Sequence, residues 1–108
     1  MIKVKWALDE AVVLIDYYLH NGKTSNNELA HLRRMYLKRA QMLGIKHDDK
    51  FRNEAGLSMQ FGVIEHLFTG GAKGFSNAGK VFIEAYNLHK NDIDKFNDIV
   101  KTFYDNYS

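Results

Sequence analysis

No proline occurs anywhere in the 108 residues, so no position is barred from donating to a helical ladder. Apolar side chains recur with a period of about 3.6 along the chain, and no segment sustains the alternation of a strand. The expected architecture is an all-α single domain over residues 1–108, a compact bundle of about five helices with short connections. With 45% hydrophobic residues, such a chain buries a core without metal or disulfide staples.

The first helix is expected from about Leu8 to His20, with Leu8, Val12, Ile15 and Leu19 on one stripe, widened by Ala11 and Tyr18 and closed by Asn21-Gly22. Trp6, an aromatic just ahead of a helix start, is expected to fold back on the first turn as an anchor. Ser25-Asn26-Asn27-Glu28 matches a capping box and opens a second helix. Its buried stripe is Leu29, Leu32, Tyr36 and Leu43, supported by Met35 and Ala40, and Gly44 ends it.

Leu57, Phe61, Ile64 and Phe68, with Leu67 alongside, define a third helix despite Gly62, and Asn53 is a good residue to cap it. Glycines 70, 71 and 74 mark a connection, after which Ser76 or Asn77 caps a fourth helix striped by Val81, Phe82, Ala85, Tyr86 and Leu88. Asn91-Asp92 starts a fifth, with Ile93, Phe96, Val100, Phe103 and Tyr107 inward and Asp92 and Asp94 at its positive end.

The chemistry searched for is mostly missing. There is no cysteine, which excludes a disulfide framework, a thiolate zinc site and a cysteine nucleophile together. His20, His31, His47, His66 and His89 lack the spacing of a helical zinc site, so no metal and no cofactor is expected. His47 beside Asp48 and Asp49 is the one loop whose composition suits a hard cation, and even there a solvated loop is the better explanation. No serine sits in a nucleophile elbow, adjacent acids such as Asp9-Glu10 do not converge as acid and base, and no catalytic residue is assigned. The glycines from Thr69 to Gly74 lack the Walker pattern. The apolar stretch Ala11–Ile15 is too short to span a bilayer, and the expected location is the cytoplasm.

Charge carries more information. The net value is only +2, yet residues 23–52 hold eight basic side chains against three acidic ones, whereas residues 55–108 hold five against six. Arg33, Arg34, Lys38 and Arg39 are left facing outward once the apolar stripe of the second helix is buried. That ridge is either a surface for nucleic-acid phosphates or an ordinary solvated helix face.

The segment KFRNEAGLSMQF, Lys50 to Phe61, resembles the N-terminal head domain of McrA-like HNH restriction endonucleases. The residues that carry the likeness are Phe51, Arg52, Asn53, Gly56, Leu57, Gln60 and Phe61. It extends to an opening Trp6 with Asp9, Glu10, Leu14, Asp16, Tyr17 and Leu19, and to Gly74-Phe75-Ser76 further on. Gln60 stands where the family has a basic residue, and no HNH motif is present. The resemblance implies a helical head module tied to recognition or assembly in DNA restriction, without the cutting chemistry.

Within the triplet Asn53 suits a cap, Phe51 a hydrophobic staple, and Arg52 either a tie to an acid such as Asp9 or Asp16 or a phosphate contact. The candidate nucleic-acid contacts are therefore Arg33, Arg34, Lys38, Arg39, Lys46, Arg52 and Lys73, with Trp6, Phe51, Asn53 and Gly56 as structural motif residues. The expected partner is duplex DNA backbone. The alternative is a defence-related protein, engaged by an inhibitor or adaptor encoded by a phage or mobile element.

Overall fold

A computed structural model describes residues 2–22 and 26–108, the side chains of residues 26 and 27 excepted. Five α-helices follow one another: α1 (Leu8–Asn21), α2 (Asn26–Met42), α3 (Glu54–Phe68), α4 (Lys80–Asn91) and α5 (Ile93–Tyr107). No strand occurs among the described residues, and the chain is an all-α bundle. The proposed Ser25 cap lies outside the described residues.

α1 is the central post. It packs against α3, α4 and α5, while α2 closes the bundle against α3 and α5. The single stripe expected for α1 understates its burial, because every side chain from Glu10 to Ile15 is buried and the helix is apolar all round from Ala11 to Ile15. Leu19, expected in the stripe, lies exposed near the helix end. Trp6 does not fold back on α1 alone. Its ring meets Tyr36 of α2 edge-on at 5.5 Å and Phe82 of α4 at 5.2 Å, and so joins two helices to the segment before α1.

The other helices form largely where periodicity puts them. α2 buries Leu29, Leu32, Met35, Tyr36 and Ala40. It ends one residue before Leu43, which is exposed, through a Schellman turn in which Ile45 N–H donates to Ala40 O at 2.8 Å and Gly44 takes φ +67°. Asn53 caps α3, its side-chain oxygen accepting from the Gly56 amide at 2.9 Å. Asp92 caps α5 in the same way through Lys95 N–H. Ile93, assigned to the core face of α5, is exposed because it is the first residue of the helix, outside the reach of its neighbours.

α4 departs from expectation at its start. The N-cap is Gly79, with no side-chain cap, and Ser76 and Asn77 stand exposed ahead of it. The connection is held elsewhere: Phe75 N–H donates to Gly62 O at 3.1 Å and the Phe75 ring lies where a side chain at position 62 would be. This is the reason for a glycine inside α3, since a Cβ there would collide with that ring.

Replacing Asn53 by Ala should lower stability by about 1 kcal/mol, and replacement by Asp or Ser should cost little. Thermal or denaturant unfolding of the three variants checks it. An unchanged midpoint for Asn53→Ala would contradict the cap.

Candidate interaction site

The residues proposed for anion contact divide into two groups once their helix is seated. At about 100° per residue, Arg33 and Arg39 lie about 60° to either side of Tyr36, while Arg34 and Lys38 lie about 160° away from it. Because Tyr36 is completely buried, the flanking arginines fall on the rim of the core and only Arg34 and Lys38 point fully outward.

Arg39 is therefore no part of an outward ridge. Its Nε donates to Asp9 Oδ2 at 2.8 Å, its side chain is 11% exposed, and the Asp9 carboxylate keeps it firmly charged against the opposing effect of burial. Arg33 is turned sideways: its Nε donates to Phe51 O at 3.0 Å and its Nη2 to Asp49 O at 2.6 Å, so it pins the loop ahead of α3.

Arg52 differs most from a phosphate contact. It is buried, and its Nε donates to Glu10 Oε2 at 2.9 Å while Nη2 donates to Oε1 at 3.0 Å, a two-point pair with a carboxylate that is 1% exposed. Nη1 and Nη2 also donate to the carbonyls of Val4 and Lys5. The guanidinium carbon lies 4.1 Å from the Trp6 ring centre and 4.5 Å from that of Phe51. Arg52 is the single non-glycine described residue with positive φ, at 48°, a conformation held in place by these contacts. The acid it meets is Glu10, not Asp9 or Asp16.

Glu10 also accepts from Ala7 N–H at 3.1 Å, the acidic half of a capping box, and its backbone oxygen accepts from the Tyr36 hydroxyl at 2.8 Å. Burial, with Glu10 nearby, pushes the Tyr36 phenol well above its ordinary value and keeps that donor protonated. Buried Phe51, Arg52 and Glu10 and half-buried Trp6 thus form one cluster. Asn53 and Gly56 continue it into α3, and a Cβ at position 56 would stand only 3.1 Å from the capping oxygen of Asn53.

Lys46 and Lys73 are exposed. They are not brought together with the α2 cations around one hollow. Arg33 and Arg34 share a shallow hollow with Ala30, Leu37 and Glu54. On α1 and α4, burial holds the Asp16 carboxyl above its ordinary range, partly offset by His20 and His89, and His20 Nδ1 lies 3.3 Å from Asp16 Oδ1. Among the described residues no group of three or more His, Cys, Asp or Glu could hold a metal ion, and no helix is long and apolar enough to cross a membrane.

The feature that sequence reasoning missed is a continuous valley on the Trp6 side. A hollow of ≈ 550 Å³ between the segment before α1 and the loop ahead of α3 is edged by Lys3, Lys5 and Lys50 and floored by Ile2, Trp6 and Met59. It shares Met59 with a second hollow of ≈ 320 Å³ beneath Phe75, and Lys5 and Trp6 with a third of ≈ 420 Å³ beside Val81. Gln60 and Asn77 line both of the latter. Met59 is 54% exposed and Phe75 57%, so the valley carries open apolar surface. Its walls come from four separate stretches of chain, residues 2–6, 48–52, 59–63 and 75–82, and no local pattern announces it. Comparison of the chain with protein-family models, curated proteins and solved structures gives no match.

Replacing Arg52 by Met should cost about 3 kcal/mol, because the buried Glu10 carboxylate then loses its two-point partner and keeps only the Ala7 amide and the Arg39 Nη1, 3.8 Å away. The double variant Glu10→Leu/Arg52→Met should recover much of that loss. Urea unfolding of the two single variants and the double checks it, and a double variant as unstable as the sum of the singles would contradict it.

Proposed function

We propose that this chain is a non-catalytic docking module of a DNA restriction or defence system, working in the cytoplasm, that engages a partner protein through the valley on its Trp6 side. The observation that carries this reading is the open apolar surface of Met59 and Phe75 in a valley three hollows long. Surfaces of this kind, edged by polar side chains, are where proteins meet. The connection to restriction rests on the likeness of the FRN segment to head domains of McrA-like endonucleases. An inhibitor or adaptor carried by a phage or mobile element fits the same geometry.

A second reading, contact with duplex DNA backbone, is favoured by the outward placement of Arg34 and Lys38, with Lys46 also exposed. It is the weaker one because Arg39 and Arg52 are tied to acids and Arg33 to carbonyl oxygens.

Two measurements separate the readings. A photo-reactive amino acid at position 59 should cross-link a defined partner in cells, whereas the same group at Asn87, on the exposed side of α4, should not. Fluorescence anisotropy with a short duplex across a salt series should show weak binding at most. Tight binding abolished by Arg34→Glu/Lys38→Glu, with a log–log salt slope of about −0.9 per phosphate, would overturn the docking reading in favour of DNA.

A further inference from the structure

Resting on that docking reading, we propose that the valley takes up an acidic, apolar peptide segment of its partner: Asp or Glu side chains facing Lys3, Lys5 and Lys50, and Leu, Met or Phe side chains seated on Met59 and Phe75. Charge complementarity selects this occupant. Three lysines edge the valley against one acid, Asp48, and that acid already accepts from the Ile2 and Lys50 amides at 3.0 Å each. No acidic side chain lines the two hollows further along.

The lysines are exposed at the edge while Met59, Val63 and Phe75 form the floor, so a segment that fits must place carboxylates at its flanks and apolar groups beneath. Gln60 and Asn77 lie between the hollows with their side-chain amides making no hydrogen bond to other described residues. A side-chain amide both donates and accepts, which matches a peptide group of an incoming backbone.

A single-stranded nucleic acid suits the valley less well. Bases need open aromatic faces. The Trp6 ring is covered on one face by the Arg52 guanidinium and abutted by Tyr36 and Phe82, and of the phenylalanines that line the hollows Phe51 and Phe82 are buried, which leaves Phe75 as the open ring.

The test is fluorescence anisotropy with three short labelled peptides. One is an extended segment in which Leu alternates with Glu, one has Lys in place of every Glu, and one keeps the Glu but has Ser for every Leu. The first should bind at low salt and weaken as salt rises, and the other two should bind at least about tenfold more weakly. Met59→Glu and Lys5→Glu should each weaken the first peptide by about tenfold, with unchanged helical circular dichroism, whereas Arg34→Glu/Lys38→Glu should leave it unaltered.

Binding of the lysine peptide with equal strength, lost in Met59→Glu, would overturn the acidic partner while leaving docking at this face intact. Absence of binding by all three peptides at low salt would also overturn the acidic segment, and position-specific cross-linking at residue 59 would then decide the docking reading separately. Displacement of the first peptide by duplex or single-stranded DNA at this face would overturn both.

Discussion

A carboxylate at the centre of a small bundle is unstable unless its charge is answered nearby, and the charge of Glu10 is answered by Arg52 from 42 residues further along the chain. The pair does more than neutralise itself. Arg52 also donates to the Val4 and Lys5 carbonyls and lies against Trp6 and Phe51, while the Glu10 backbone oxygen receives the Tyr36 hydroxyl. The segment before α1, α1 itself, α2 and the loop ahead of α3 therefore meet at one point. The net stability of such a pair is modest, but the cost of leaving either partner alone is large, so it acts chiefly to fix one arrangement of these segments.

That arrangement decides which charges remain for a partner. Fixing α1 against α2 brings Asp9 beside Arg39, and fixing the loop ahead of α3 brings the Asp49 and Phe51 carbonyls to Arg33. Three of the arginines that look like a binding surface are thereby engaged within the molecule. The same docking of the N-terminal segment aligns Lys3 and Lys5 with Lys50 across a shallow hollow and lays Trp6 toward Met59. The valley and the loss of the basic ridge thus have one cause.

Much of the fold is legible in the sequence because its signals are local. The stripes of α2 and α3, the Asn53 and Asp92 caps and the Gly44 terminator depend on neighbours within a turn or two, and each forms as expected apart from Leu43. The position of Arg39 was also readable: lying about 60° from Tyr36 on the helix circumference, it could not share an outward face with Arg34. The Glu10–Arg52 pair was not, since three acids in the first helix compete for one arginine and only tertiary placement chooses among them. Ser76 and Asn77 are good capping residues by type, yet the seating of Phe75 on Gly62 holds that segment off the helix start. The valley has no sequence signal, because its lining is assembled from the N-terminal segment, the loop ahead of α3, α3 itself and the stretch from Phe75 to Phe82, which only the tertiary fold brings together.

The central claim is that Arg52 belongs to the interior and Arg34 to the surface. Hydrogen exchange of the arginine Nε–H groups, followed by nuclear magnetic resonance and assigned with Arg→Lys variants, tests it directly. The account predicts that the Arg52 Nε–H, bonded to a fully buried carboxylate, exchanges slowly, and that the Arg34 Nε–H exchanges at the rate of a solvated side chain. An Arg52 Nε–H that exchanges as fast as that of Arg34 would contradict it.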